Sequence, residues 1–190
     1  MHSTIALASA SPRRRELLQQ LGVTFELVTP DIDESILTAE LAATYVSRLA
    51  LTKAQIGLQL LAGRLPVLGA DTSVVIDGCI LGKPESEADF LHMMQRLSGR
   101  SHQVMTAVAL VTPTQQWQIL VTTEVWFRSI SQQEMADYWQ SGEPVDKAGG
   151  YGIQGQAGKF VERINGSYSA VVGLPLCETD LLLQKLQRSR

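Results

Sequence analysis

Cysteine is nearly missing from this chain. Of 190 residues only Cys79 and Cys177 are cysteines, far apart and without CxxC or paired-histidine spacing. That excludes a disulfide framework and a thiolate zinc site, and leaves two free thiols expected in the interior. Aromatic residues make up 6%, and 16 basic residues against 19 acidic ones give a net charge of −3. Without basic excess or stacking rings, the chain advertises no nucleic-acid surface. No apolar run reaches the roughly 20 residues a membrane span needs, and "MHSTIALASASPRRR" is not a signal peptide, so a cytoplasmic protein without membrane contact is expected. What is present, 45% hydrophobic and 18% charged residues, suits a globular chain with one substantial core, expected as a single domain over 1–190.

Short apolar runs rich in β-branched residues alternate with longer helical patterns, which points to an α/β fold. "TIALAS" reads as a strand, followed by a helix that Ser11 caps and Pro12 starts, with Leu17, Leu18 and Leu21 on its apolar face and Gly22 at its end. "FELVT" is a second strand. From Thr38 to about Ala62, the positions Leu41, Tyr45, Leu49, Ile56 and Leu60 suit one long helix or two. "LPVLGADTSVVIDGCIL" predicts two strands joined at Asp77-Gly78. Ser86 and Gly99 bracket another helix, and "HQVMTAVALVT" with "QWQILVTTEVWF" reads as a long hairpin, so the sheet is mixed. Ser131 and Glu134 form a capping box. The glycine-rich "DKAGGYGIQGQAG" precedes the strand "KFVERI" and a final helix near Glu178 to Leu186.

Three stretches carry candidate chemistry. "ASASPRRR" puts small residues and a helix N-terminus after a strand, where unpaired N–H groups favour an anion, and arginines would add bidentate phosphate contacts. Helical residues lie about 100° apart, so Arg13, Arg14 and Arg15 cannot all face one ligand; the competing reading is a solvated basic turn. In "LGADTSVVI", Asp71 sits within an apolar strand and needs a partner. It could cap a bulge or bond to Thr72, or it could hold a magnesium ion or orient a water. Glu34 in "DIDES" gains interest only if Asp71 lies opposite, and Lys53 and Lys83, exposed lysines by default, matter only in their company. Gln154 in "YGIQG" carries a donor and an acceptor that match a uracil or thymine edge; otherwise it is a surface Gln on a flexible loop. His2, His92 and His102 show no ligand spacing and are assigned no role.

Taken together, "LASASPRRRELL", "DIDE", "LTKA", "VLGADTSVVIDGCILGKP", "LSGRSHQVMTAVAL" and "DKAGGYGIQGQAGKFVERINGSYSAVVGLPL" resemble, in order and from end to end, the Maf family of nucleoside triphosphate pyrophosphatases. The resemblance is strongest to the branch acting on dTTP and UTP, whose marker positions correspond to Arg13, Thr72 and Gln154. It implies a mixed, largely antiparallel elongated sheet flanked by helices, with two lobes around a central cleft. It also implies hydrolysis between the α and β phosphates, with a divalent cation, Mg²⁺ or Mn²⁺, as cofactor. Asp71 matches the family's catalytic acid, and Ser9, Arg13, Arg14, Glu34, Lys53 and Lys83 match its polar cleft residues. By this reading Glu34, Lys53, Lys83 and Asp71 are catalytic, Glu34 and Asp71 hold the metal, and Ser9, Arg13, Arg14, Thr72 and Gln154 bind substrate. Arg13 belongs to substrate choice, Arg14 to a phosphate, and Arg15 to solvent or an ion pair. The partner is a small nucleotide, not a nucleic acid or membrane, and a homodimer is compatible with the sequence. Two other functions remain open: a pyrophosphatase for modified or methylated nucleotides, and a nucleotide-binding regulator of cell division.

Overall fold

The first strand has no polar face: Ile5, Ala6, Leu7 and Ala8 of β1 (Ile5–Ala8) are all fully buried, as a strand covered on both sides must be. In the computed structural model, which describes residues 4–189, β1 lies inside a seven-stranded sheet. His2 lies outside the described residues. Strand β2 (Phe25–Val28) runs parallel to β1 on one side, and β3 (Val67–Ile76) runs parallel to it on the other. From β3 onward all pairing is antiparallel: to the short β4 (Cys79–Leu81), to β5 (Ser101–Val111), then to β6 (Gln116–Phe127) and β7 (Val161–Asn165). The sheet is therefore mixed and largely antiparallel, as expected. Among the described residues no helix is long and apolar enough to cross a membrane.

Strands β3 and β5 change partners halfway along. One end of β3 and β5 (Leu68, Ala70, Val108, Leu110) packs with α1 (Pro12–Gln20) and α6 (Leu176–Arg188). The other end (Val74, Ile76, Val104) joins a separate core with Val125 of β6 and with α3 (Glu87–Leu97) and α4 (Gln132–Gln140). Between them lies a polar waist, Asp71, Thr72 and Ser73 in β3, with Thr72 paired across to Thr106 in β5. Two apolar cores joined through a polar middle leave a cleft at the waist, which makes the two lobes.

The helix α2 (Ala42–Leu60) differs from its expected form in start and face. Residues 38–41 form a turn and cap instead of helical backbone, because Ala39 has φ +58° and the Glu40 carboxylate accepts the Leu37 N–H. The buried side is Ala42, Val46, Leu49, Ala50, Ala54 and Gly57; of the expected apolar positions Leu49 is buried, Tyr45 and Ile56 are half-buried, and Leu41 and Leu60 are 75% and 60% exposed. Close approach to the sheet is the cause. A methyl on Gly69 of β3 would overlap the Ala50 carbonyl oxygen and come to 2.7 Å from Ala54 N, so only small residues fit on that face. The short distance also brings Lys53, next to Ala54, down onto Asp71.

The predicted caps are present: Ser11, Ser86 and Ser131 each accept a backbone N–H, and Ser131 and Glu134 complete the capping box. The last helix begins two residues early, at Leu176 after Pro175, and Lys159 and Phe160 fall in a 3₁₀ turn before β7. The short α5 (Tyr168–Val172), capped by Ser167, had no periodicity to announce it. Both cysteines are exposed, contrary to the expected burial. Cys79 opens the short strand after the Asp77-Gly78 turn, and Cys177 lies in the first turn of α6 away from its buried Thr179, Leu182 and Leu183.

One buried polar pair ties the second core together. His102 Nε2 lies 2.7 Å from Tyr151 Oη, while its Nδ1 is buried without a partner. Burial lowers the imidazole pKa from 6.5 to about 4. Between those values the unfolded chain binds a proton that the folded chain refuses. Stability from this group is therefore complete above pH 6.5 and is lost as pH falls toward 4. The loss should reach about 2.5 kcal/mol at pH 4.5. Urea unfolding at pH 7 and pH 4.5 measures it: the pH 7 to 4.5 drop should be smaller by that amount in His102→Gln than in the wild type.

Candidate active site

The polar waist opens into a cleft of about 870 Å³. All nine residues singled out from sequence line it: Ser9, Arg13, Arg14, Glu34, Lys53, Asp71, Thr72, Lys83 and Gln154. They arrive from β1 and α1, the loop before α2, α2 itself, β3, the segment after β4, and the glycine-rich turn.

At the centre, Lys53 Nζ lies 2.7 Å from Asp71 Oδ1 and 2.7 Å from Glu34 Oε1. Side-chain exposure is 12% for Lys53 and 10% for Asp71, but 47% for Glu34. The lysine is thus a bridge between carboxylates, not the exposed lysine of the default reading. Burial pushes the Asp71 carboxyl above the usual range, and the opposing charges of Lys53 and Arg14 do not bring it back. Burial acts upward on Glu34 too, yet the hydrogen bond and charge of Lys53, with Lys83 and Arg14, hold it below its ordinary value. Two neighbouring carboxyls are driven apart, Asp71 toward holding a proton more readily and Glu34 toward staying charged.

The Glu34 loop is held by α2. Tyr45 Oη donates to the Glu34 carbonyl at 2.8 Å, and Arg48 donates to the Ser35 carbonyl at 3.0 Å while pairing with Glu40 at 2.7 Å. Neither Tyr45 nor Arg48 stood out in the sequence, because Tyr45 read as one more apolar position in a helix.

The arginine triplet divides. Arg14 turns inward: Nε donates to the Gly173 carbonyl at 2.8 Å, and its terminal nitrogens reach Thr72 Oγ1 at 3.1 Å and Ser9 Oγ at 3.5 Å. Burial lowers its pKa, Asp71 and Glu34 raise it, and the neighbouring Arg13 lowers it again. Arg13 lines the cleft beside Asp146, whose carboxyl is held low first by a hydrogen bond from Lys147 and further by Arg13. Arg15 is exposed and outside the cleft.

Thr72 donates a hydrogen bond onward to Thr106. Thr106 donates to the Ala170 carbonyl at 2.7 Å, so the 2.9 Å contact between the two threonines has Thr72 as donor. With Arg14 donating to it as well, Thr72 keeps only acceptor capacity toward the cleft. Sequence alone gave no sign of Thr106, Ala170 or Gly173, since all three act through backbone or buried hydroxyl groups.

Glu34 and Asp71 are the two carboxylates at the centre of the cleft. The oxygens of Glu34 and Asp71 both touch one point, the Lys53 nitrogen. Among the described residues no group of three or more His, Cys, Asp or Glu gathers. Mg²⁺ is commonly held by few carboxylates, with phosphate oxygens completing its shell.

The family model described as "Maf-like protein" matches residues 4–186 of the chain. A dTTP/UTP pyrophosphatase of Vibrio vulnificus (strain YJ016) is 58% identical over 185 residues, covering 97% of this chain and 99% of the relative. One from Pseudoalteromonas translucida is 56% identical over 188 residues, covering 99% of this chain and all of the relative. Among solved structures, the Staphylococcus aureus Ham1 protein superposes with a TM-score of 0.53 at 13% identity, over 99% of this chain and 100% of that one, a likeness of fold.

Proposed function

The chain belongs to the Maf family, and we propose that it hydrolyses dTTP and UTP between the α and β phosphates, releasing the nucleoside monophosphate and pyrophosphate. The observation that carries the reading is the convergence of Lys53 on Asp71 and Glu34 in the cleft that Arg13, Arg14 and Gln154 also line. Near-full-length relatives named for this activity support the substrate class.

Phosphoryl transfer asks a protein mainly for positioning and charge stabilisation. Asp71, with its raised pKa, accepts the proton of the attacking water as oxygen adds to the α phosphorus. The bond to the bridging oxygen breaks, and its electron pair leaves on pyrophosphate. Lys83, which is exposed at the cleft, offsets charge on the leaving group. Arg14, fixed by Gly173, Thr72 and Ser9, presents its remaining edge to a phosphate. Lys53 keeps Asp71 and Glu34 side by side. Glu34 and Asp71 are the residues that would hold a divalent cation, which would further neutralise the triphosphate.

Gln154 is assigned to the base. Its amide offers a donor and an acceptor to the N3–H and carbonyl edge shared by thymine and uracil, while cytosine presents the opposite order at that edge. An amide held in one orientation should therefore favour UTP over CTP by at least about 10²-fold in kcat/KM. Pyrophosphate release from a panel of nucleotides with Mg²⁺ or Mn²⁺ measures this, and equal rates on CTP and UTP would contradict the assignment.

A further inference from the structure

The cleft contains a carboxylate that has no part in the reaction described above. Glu143 lies in the 3₁₀ segment Glu143–Asp146 that follows α4. One of its oxygens accepts from Tyr138 Oη at 2.8 Å, and the other accepts the Gln156 backbone N–H at 2.9 Å. Tyr138 Oη in turn accepts the Gly152 N–H at 3.3 Å. The turn that presents Gln154 is thus tied at both ends, at Gly152 and at Gln156, to one tyrosine–carboxylate pair, and it is closed by a Gly155 N–H to Gly152 carbonyl bond of 3.1 Å.

The glycine at 155 has a matching reason. A methyl group there would overlap both oxygens and Cδ of Glu143, although the backbone at Gly155, with φ −102° and ψ −151°, admits any residue. A side chain at 155 would displace the Glu143 carboxylate from this seat. The Lys147 ammonium donates to the Glu143 carbonyl at 2.7 Å, which fixes the 3₁₀ segment itself.

We infer that Glu143 is the positioning residue for base selection: its carboxylate, seated against Gly155 and shared between Tyr138 Oη and Gln156 N, holds the Gln154 turn in the pose that reads the pyrimidine edge. This rests on the assignment of Gln154 to the base. An amide selects between UTP and CTP only while its orientation is fixed. Glu143 touches no base in this scheme. It sets the ratio by removing the turn's freedom.

The test is a double-mutant cycle read as the UTP to CTP ratio of kcat/KM. Glu143→Ala should lower the ratio at least tenfold, mainly through a higher KM for UTP. Gly155→Ala in the wild-type background should do the same by displacing the carboxylate. In the Glu143→Ala background the methyl has room, so Gly155→Ala should change the ratio by less than twofold. Hydrogen exchange at the Gln156 amide should quicken in both single variants, and thermal midpoints show whether each remains folded. Independent, additive effects of the two substitutions, or a ratio unchanged in Glu143→Ala, would overturn the inference. Gln154→Ala separates the two layers. A lost ratio there with a retained ratio in Glu143→Ala defeats the positioning role alone, and a retained ratio in Gln154→Ala defeats base reading and positioning together.

Discussion

Asp71→Asn should lower pyrophosphate release from dTTP by at least about 10³-fold while leaving the protein folded. The change keeps shape and volume, so β3 can retain its place between the two lobes. An Asn oxygen can still accept the Lys53 ammonium that now lies 2.7 Å from Asp71. Glu34, on the other side of the same nitrogen, remains as its counter-charge. What disappears is basicity. Burial raises the Asp71 carboxyl above its ordinary value and so makes the carboxylate a stronger base, whereas an amide accepts no proton here. The variant also removes half of the carboxylate pair assigned to the divalent cation. Steady-state rates with dTTP, alongside a circular dichroism spectrum and a thermal midpoint, provide the measurement. A folded Asp71→Asn enzyme with near wild-type turnover would exclude Asp71 from the chemistry.

Local chemistry made much of this fold legible. Ser11-Pro12, Ser86 and the Ser131–Glu134 box announced helix starts, and Asp77-Gly78 announced a turn, because caps and turns are decided by residues a few positions apart. Asp71 was legible as well, being a charge in an otherwise apolar strand. Contacts between distant segments were not. That Lys53 stands between Glu34 and Asp71 depends on how closely α2 lies on β3, which Gly69 permits and no pattern within α2 records. The same approach shifted the buried face of α2, putting alanines inside beside Leu49 and leaving Leu41 and Leu60 outside. Burial of the cysteines was inferred from residue type alone, and position at a turn and in an exposed first turn decided otherwise. In the arginine triplet, helical spacing separated the three side chains, but the Gly173 carbonyl that captures Arg14 comes from the far end of the chain.

Lys53→Met should reduce kcat/KM at pH 7 by about 10²-fold to 10³-fold and should move the acid limb of the pH profile upward. The sign follows from the charges around Asp71. Burial raises that carboxyl, Lys53 and Arg14 oppose the rise, and Glu34 adds to it. Without the ammonium only Arg14 opposes, and Glu34 faces Asp71 across an apolar side chain. Proton binding to the pair becomes easier, so the base is charged only at higher pH. The activity deficit should therefore be largest in acid and shrink as pH rises. Methionine keeps most of the volume of the lysine stem, which limits the packing loss under α2. Lys53→Arg restores the positive charge and should return the limb most of the way to its wild-type position, even if altered geometry keeps turnover low. An acid limb that stays in place in Lys53→Met would show that the lysine acts on the substrate alone. A limb that moves and is restored by arginine assigns it to the two carboxylates it touches, where charge and not shape is what the cleft requires of position 53.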